Sequence, residues 1–184
     1  KRPATRVATM RTQNQGVGVA GSVKAAPTEG FIISVFSPKG GSGCTTIAIN
    51  VAISLAQNEY RTLLVDGSLQ FGDVAVMINM KPVTSIADLS SRNSDLDSDL
   101  VSSVVQIHKS GLHVLMAPPR PEMADVVTDA TIKDLLKNLR PLYDFIIIDT
   151  TSSLNDIALT LLDESDRIVL ITQQNLPSLK NVSR

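Results

Sequence analysis

The chain of 184 residues has an ordinary globular composition, with 43% hydrophobic and 19% charged residues and a net charge of −1. The single cysteine excludes an internal disulfide, and no apolar run approaches the roughly 20 residues that a membrane-spanning helix needs. Residues 1–30 carry a net charge of +4 and the remainder −5, so the folded part gives no strong indication of nucleic-acid binding.

The first 30 residues differ in character from the rest of the chain. They are rich in small and polar residues and show no sustained hydrophobic periodicity. This composition predicts a flexible linker, and the absence of a starting methionine indicates an excerpt from a longer protein. Contact of this basic segment with an anionic surface is the alternative interpretation.

The next stretch has the order strand, glycine-containing loop, helix. The apolar, β-branched run Phe31–Phe36 predicts a strand, and the apolar spacing from Ile47 to Ala56 predicts a helix. Between them lies a tight turn at residues 38–43. In this arrangement consecutive backbone N–H groups and the positive end of the helix dipole can bind a phosphate group.

The loop departs from the usual phosphate-binding pattern, G-x-x-x-x-G-K-[ST]. Pro38 replaces the first glycine and Cys44 replaces the lysine, whereas Thr45 keeps the hydroxyl that would bind Mg²⁺. Cys44 is interpreted as a small-residue replacement, with a reactive thiolate as the alternative. The residues predicted to bind the nucleotide are Lys39, Gly40, Gly41, Ser42, Gly43, Cys44, Thr45 and Thr46.

The block from Lys39 to Thr46 resembles the deviant Walker A motif, K-G-G-x-G-K-[ST]-[ST], of the MinD/ParA family. The resemblance implies ATP or ADP with Mg²⁺ as the ligands and a homodimer. In that family the early lysine, here Lys39, reaches the phosphates bound to the partner subunit, which makes it a candidate catalytic residue. The loss of the second lysine at Cys44 resembles the CpaE/TadZ branch of type IV (Flp/Tad) pilus assembly.

The run Arg61–Asp66 is apolar and ends in a carboxylate, which predicts a buried parallel strand. The residues that follow resemble switch I of the CpaE proteins, but Ser68 replaces the second aspartate of D-x-D. Since that aspartate orients the attacking water in the family, the resemblance implies weak or absent ATP hydrolysis. Asp73 is the nearest carboxylate that could replace it, although a charge at a helix N-terminus is the favoured interpretation.

The middle of the chain predicts several further elements. Helical pieces are expected at residues 74–78, 85–89 and 96–107, followed by a strand at residues 111–117 that ends before two prolines. An amphipathic helix is expected at residues 128–139, and another strand at residues 167–172.

A strand at residues 143–149 ends in Asp149, which is a Walker B pattern. The carboxyl ends of parallel strands meet at one edge of a sheet, so the phosphate loop, Asp66 and Asp149 should converge there. Thr45, Asp66 and Asp149 are the predicted metal ligands. A dinucleotide site formed by Gly41, Gly43 and Asp66 is a weaker alternative, because Thr46 occupies the third glycine position.

These elements predict an α/β fold in residues 31–184, with a mostly parallel twisted sheet flanked by helices on both faces. The resemblance further implies a receiver-like domain before the linker and a C-terminal part of the domain beyond this sequence. It also implies pilus assembly or secretion proteins as partners, and a cytoplasmic protein recruited to the membrane or cell pole. An active ParA/MinD-type partition or positioning ATPase and a nucleotide-free scaffold are the alternative functions.

Overall fold

The computed structural model describes residues 29–90 and 98–173. The predicted linker therefore lies almost entirely outside the described residues. The strands are β1 (Phe31–Phe36), β2 (Thr62–Asp66), β3 (Gln106–Ile107), β4 (His113–Leu115), β5 (Phe145–Asp149) and β6 (Arg167–Leu170). The helices are α1 (Cys44–Gln57), α2 (Val74–Met77), α3 (Ala87–Ser90), α4 (Ser98–Val104), α5 (Asp129–Leu139) and α6 (Asp156–Asp163), with 3₁₀ turns at Pro121–Val126 and Arg140–Leu142.

The six strands form one sheet in the order β3-β4-β2-β5-β1-β6. Every neighbouring pair is parallel except β3 and β4, which are antiparallel. This confirms the predicted fold class. In the register of the central strands, Asp149 of β5 pairs with Asp66 of β2 on one side and with Val35 of β1 on the other.

The central strands of the sheet, β1, β2, β4 and β5, are largely buried on both faces, as near-continuous apolar strands predict. Residues of alternate parity point to opposite faces, so Leu63 and Val65 join one apolar cluster whereas Leu64 joins the other. Helices α5 and α6 pack on the first face, and α1 and α2 pack on the second. The strand ends that carry the candidate site are thereby held between two layers of helices.

Helix α1 begins directly after the phosphate loop and packs through small residues. Its buried residues are Ala48, Ile49 and Ala52, whereas Val51, which the sequence placed on the apolar face, is partly exposed. Small side chains let the helix approach the sheet closely. The start of α1 is consequently fixed above the ends of β1 and β5.

Two features of the middle region differ from the sequence-based expectation. The predicted helix at residues 96–107 ends at Val104, because Gln106 and Ile107 pair antiparallel with Val114 and His113 of β4. Gly111, with φ of 84°, allows the reversal between these two strands. The strand expected at residues 111–117 is shorter than predicted and comprises His113–Leu115.

Within residues 29–90 and 98–173, no helix is long and apolar enough to cross a membrane. Strand β6 lies at one edge of the sheet, and all four of its residues are exposed.

Candidate functional site

The loop between β1 and α1 has the backbone shape that its glycines predict. Gly41 and Gly43 have φ values of 74° and 91°, a left-handed conformation that side-chain-bearing residues rarely adopt. The Ser42 hydroxyl donates a hydrogen bond of 2.8 Å to the Lys39 carbonyl, which tightens the turn. Gly43 is the N-cap of α1, so the unpaired N–H groups of the first helical turn face the end of the loop.

A cleft of ≈ 400 Å³ opens at the carboxyl edge of the sheet. The structure brings the whole predicted nucleotide-binding loop together with Asp73 and Asp149 in the lining of this cleft. Asp66 lies beside Asp149 in the sheet register and is almost fully buried. The predicted convergence of the phosphate loop and the two strand-ending aspartates is therefore present.

Asp149 carries a buried oxygen, Oδ1, with no hydrogen-bond partner. The pKa of Asp149 is raised to about 6, mainly by burial and in small part by the Asp73 charge, while the hydrogen bond with the Thr45 hydroxyl lowers it. A buried, unpaired carboxylate oxygen is costly unless a cation or its water approaches it. This orphaned oxygen fits a divalent cation at the site.

Asp66 reinforces this negative charge. Burial raises its pKa to about 7, with a further contribution from Asp149, while the backbone N–H groups of Ser68 and Val74 oppose the shift. The Ser68 N–H donates to Asp66 Oδ1 at 3.2 Å. The Thr45 hydroxyl and Asp149 line the cleft and are oxygen ligands of the kind that Mg²⁺ prefers, whereas Asp66 is buried behind them and would act on the ion through a water.

Cys44 adds no charge to the cleft. Burial and the nearby Asp149 raise the pKa of its thiol to about 11, so the thiol is neutral at pH 7. The surroundings of Cys44 therefore favour the interpretation as a small-residue replacement over that as a reactive thiolate, because thiolates form where the surroundings are electropositive. The Cys44 thiol faces a carboxylate instead.

Lys39 is the only cation among the described residues that line the cleft. Its ammonium donates a hydrogen bond of 3.3 Å to the Gln173 side-chain oxygen, just beyond β6. The lysine is thus held at the mouth of the cleft by a weak contact with an exposed partner.

Asp73 lies at the start of a helix and also in the cleft, which are the two settings that the sequence suggested for it. It is the N-cap residue of α2, without a side-chain capping hydrogen bond, and it also lines the cleft. Its charge raises the pKa values of Asp66 and Asp149. Its role in orienting water stays a prediction.

Two residues shape the site through contacts that the sequence did not predict. A Cβ on Gly72 would lie 2.6 Å from the Ala117 Cβ and 3.0 Å from Asp66 Oδ2, so glycine permits the loop to close over Asp66. The Thr150 hydroxyl donates 2.7 Å to the Val35 carbonyl and ties the segment after β5 to β1. The sequence signal that could have identified Gly72 is its place between Phe71 and Asp73, in a block that contains several residues of the site.

Replacing Gly72 with alanine should lower the free energy of unfolding by about 1–3 kcal/mol, because the methyl group has no room between Ala117 and Asp66. Urea denaturation measures the effect. Gly40→Ala is the matched control, since its Cβ would meet only the Ser152 hydroxyl, at 3.7 Å. Equal stability of the Gly72 variant and the unchanged protein would show that the loop does not need this close approach.

Helix α6 and the 3₁₀ turn at Pro121–Val126 were also not anticipated. The Asn155 side chain accepts a hydrogen bond of 2.8 Å from the Ala158 N–H and caps α6. Asn155 followed by Asp156 is a typical helix start and could have identified α6. Both elements border the site, because residues of each lie next to the loop that follows β2.

Comparisons with known proteins identify the family of this chain. A family model for an AAA domain, AAA_31, matches residues 30–184. The chain is 33% identical over 168 residues to the chromosome partitioning protein ParA of Myxococcus xanthus, a match that covers 85% of this chain and 57% of that protein. The chain therefore spans less than two thirds of the length of this relative.

Solved structures share the fold. A ParA family ATPase from Chlorobium tepidum TLS superimposes with a TM-score of 0.75 at 29% identity, covering 82% of this chain and 64% of that one. The septum site-determining protein MinD from Pyrococcus horikoshii OT3, solved in complex with Mg-ADP, gives a TM-score of 0.72 at 23% identity, covering 82% of this chain and 61% of that one.

Proposed function

Since the chain belongs to the AAA domain family AAA_31, the MinD/ParA-type P-loop ATPases, we propose that it binds ATP with Mg²⁺ and acts as a nucleotide-regulated homodimer. The observation that carries this proposal is the convergence of the phosphate loop with Asp66 and Asp149 at one sheet edge. A dinucleotide site explains neither the unpaired Asp149 oxygen nor the Thr45 hydroxyl beside it.

In this proposal each group of the cleft has a definite role. The backbone N–H groups of residues 40–46 bind the phosphates, as at other helix N-termini that bind anions. Thr45, Asp66 and Asp149 hold Mg²⁺ directly or through its waters. The ion, when bound, neutralises charge on the phosphates and on the two carboxylates.

Hydrolysis is proposed to be weak or absent. The lysine that would contact the β- and γ-phosphates is replaced by the neutral Cys44 thiol, which supplies no charge to the transferred group. Ser68, at the position of the water-orienting aspartate in the resembled family, lines the cleft without a carboxylate. Asp73 is the only carboxylate besides Asp149 among the described residues lining the cleft, and it is the proposed substitute.

The low positive charge of the cleft also supports the proposal that the protein self-associates. With one cation in its described lining, a single copy of the cleft has little positive charge to offset a triphosphate. Lys39 of a second copy would add that charge, in the manner of the resembled family. Nucleotide binding and dimer formation are therefore proposed to be coupled.

Replacing Lys39 with alanine should abolish ATP-dependent dimer formation while leaving the fold intact, because among the described residues the Lys39 side chain has a hydrogen bond only to Gln173, at 3.3 Å. Sedimentation velocity with and without Mg²⁺·ATP measures the change in mass. Lys133→Ala, on the exposed side of α5, is the charge-matched control. A Lys39 variant that still dimerises with ATP would contradict the proposed role of this lysine.

We further propose a role in type IV (Flp/Tad) pilus assembly or localisation, with partners in the pilus or secretion machinery. Support comes from the loss of the loop lysine at Cys44 and from the sequence between Asp66 and Val74. In this proposal residues 1–30 link the domain to an upstream receiver-like domain, and the protein is cytoplasmic and recruited to the membrane or cell pole.

Similarity to a chromosome partitioning protein favours a second candidate, an active positioning ATPase. This candidate requires ATP turnover that DNA or membrane vesicles stimulate. A steady-state phosphate-release assay with and without these surfaces separates the two functions. Turnover that neither surface raises favours the regulated dimer.

A further inference from the structure

A second cavity, of ≈ 450 Å³, lies at the amino edge of the sheet, opposite the nucleotide cleft. Its walls include the segment Glu59–Thr62 between α1 and β2, His113 at the start of β4, and Leu142 with Tyr143 just before β5. Because β2, β4 and β5 run parallel, their first residues lie at the edge away from Asp66 and Asp149. The volume lies in the range of small-molecule sites, roughly 300–1,000 Å³.

Both tyrosines of the chain lie at this cavity. The sequence contains two tyrosines, and Tyr60 and Tyr143 each line the cavity. The Tyr60 ring packs edge-on against Phe145, and the Tyr143 ring packs edge-on against His113, which also lines the cavity. The Tyr143 hydroxyl shares a hydrogen bond of 3.0 Å with His113 Nδ1. These contacts fix the rings, and together with Leu142 they give the cavity an apolar part.

The described lining of the cavity carries one positive and one negative side chain, Arg61 and Glu59. Burial lowers the pKa of His113, so its imidazole is neutral at pH 7. Burial also raises the pKa of Tyr143 to about 12, so its hydroxyl keeps its proton. A ligand with one anionic and one cationic group would match the two charged side chains.

The Arg61 guanidinium is held in place and still has free N–H groups. Its Nε and Nη2 donate to Asp144 Oδ1 at 3.2 and 2.7 Å, and its backbone N–H donates to Asp144 Oδ2 at 2.8 Å. Within the described residues Nη1 makes no hydrogen bond, and the side chain is 60% exposed. A ligand carboxylate can accept hydrogen bonds from a planar guanidinium that is fixed in this way.

Glu59 has a backbone conformation that is unfavourable for glutamate. Its φ is 65°, in the left-handed region where the residue after a helix is usually glycine. The other non-glycine residue with positive φ among the described residues is Asn79, a residue type that tolerates this region. Residues in such strained conformations cluster at ligand sites. Glycine would relieve the strain here, but only glutamate supplies a carboxylate to the cavity.

We propose that this cavity binds a zwitterionic small molecule of the α-amino acid type with an apolar or aromatic side chain. The ligand carboxylate accepts hydrogen bonds from Arg61, and its ammonium group pairs with Glu59. Its side chain packs in the apolar part of the cavity, against Leu142 and the tyrosine rings. One cation, one carboxylate and an apolar wall are the three features that such a ligand needs.

The test uses phenylalanine and two analogues as probes of the full ¹⁵N-labelled chain, without nucleotide. Phenethylamine lacks the carboxylate of phenylalanine, and hydrocinnamate lacks its ammonium group. Phenylalanine should shift the amide signals of residues 59–62, 111 and 113 in a saturable way. It should bind about tenfold more tightly than phenethylamine, the ratio for the loss of one charged hydrogen bond.

Two variants assign the charged groups of the ligand to their partners. Glu59→Gln should weaken the binding of phenylalanine and phenethylamine about threefold and leave hydrocinnamate unchanged, because hydrocinnamate has no ammonium group. Arg61→Lys keeps a cation beside Asp144 but loses the planar fork, so it should weaken phenylalanine and hydrocinnamate and leave phenethylamine unchanged. Asp134→Asn, exposed on α5, is the control and should change none of the three.

Replacing Glu59 with glycine separates the role of this residue in binding from its role in the fold. Glycine adopts a positive φ at little cost, so the variant should need a higher urea concentration to unfold. It should nevertheless bind phenylalanine about as weakly as Glu59→Gln. Lower stability of the glycine variant, or unchanged binding by it, would contradict the role given to Glu59.

Three results would overturn the proposal as a whole. Amide shifts that grow linearly with phenylalanine, without saturation, would show that the cavity has no site for it. Equal affinity for all three probes would show an apolar pocket that recognises neither charge. Shifts confined to residues 39–46 would place the probe in the nucleotide cleft instead. Because nucleotide is absent and the cleft is not used, these outcomes are independent of whether the chain binds ATP.

Discussion

Replacing Asp149 with asparagine should abolish Mg²⁺-dependent ATP binding and, at the same time, stabilise the nucleotide-free protein. The variant loses the carboxylate whose buried Oδ1 has no hydrogen-bond partner and is the proposed contact for Mg²⁺ or its water. It also removes a buried charge beside Asp66, whose pKa is raised to about 7 mainly by burial and then by the charge of Asp149. Removing this repulsion should increase the free energy of unfolding at pH 8 by about 1–3 kcal/mol.

The same carboxylates predict how stability depends on pH. The folded-state pKa values, about 7 for Asp66 and about 6 for Asp149, lie above their ordinary value of 3.8. The folded chain therefore binds more protons than the unfolded chain between about pH 4 and pH 7. Without Mg²⁺, their contribution to the free energy of unfolding should fall as the pH rises through this interval, and the Asp149→Asn substitution should reduce that slope.

Urea denaturation at pH 5 and pH 8, together with calorimetric titration with Mg²⁺·ATP, measures both effects. Asp134→Asn is the control, because Asp134 is exposed on α5 and away from the cleft. An Asp149 variant that is less stable at pH 8 would show that Asp149 is satisfied by contacts within the chain. Undiminished Mg²⁺-dependent binding would remove it from the metal site.

Replacing Cys44 with lysine should raise the affinity for Mg²⁺·ATP by about 10- to 100-fold. Residue 44 is the first residue of α1 and lines the cleft within the loop. A lysine there restores a charged hydrogen bond to the phosphates, a contact that is worth about 1.5–3 kcal/mol. The nearby Asp149, which raises the pKa of the Cys44 thiol, would stabilise an ammonium at the same position.

Cys44→Met separates charge from size in this experiment, since methionine extends the side chain without a charge. Calorimetric titration of both variants gives their dissociation constants. We expect tighter binding for the lysine variant only. Equal affinity of the lysine variant and the unchanged protein would mean that the phosphates do not approach residue 44.

The arrangement of the site was predictable because it follows from the rules of parallel sheets. A strand that ends in Asp66, another that ends in Asp149, and a loop after Phe36 must meet when their strands run parallel. The glycine pattern specified the left-handed turns at Gly41 and Gly43. These conclusions follow from local sequence patterns and from the geometry of parallel strands alone.

Other features depend on contacts between distant segments, so no local pattern specified them. The two residues of β3 are too few for periodicity, and only pairing with β4 makes them a strand. Gly72 is required because Ala117, which lies far from it in the sequence, approaches it closely. The unpaired oxygen of Asp149 and the cavity beside Tyr143 likewise exist only in the assembled fold.

Calorimetric titration of the full chain with ATP, in the presence and absence of Mg²⁺, tests the central claim most directly. The convergence of the phosphate loop with Asp66 and Asp149 predicts saturable binding that requires Mg²⁺. The neutral Cys44 predicts weaker binding than a lysine at this position would give. Heats indistinguishable from dilution at millimolar ATP, with and without Mg²⁺, would contradict the nucleotide-binding function and leave a scaffold that keeps this fold without the ligand.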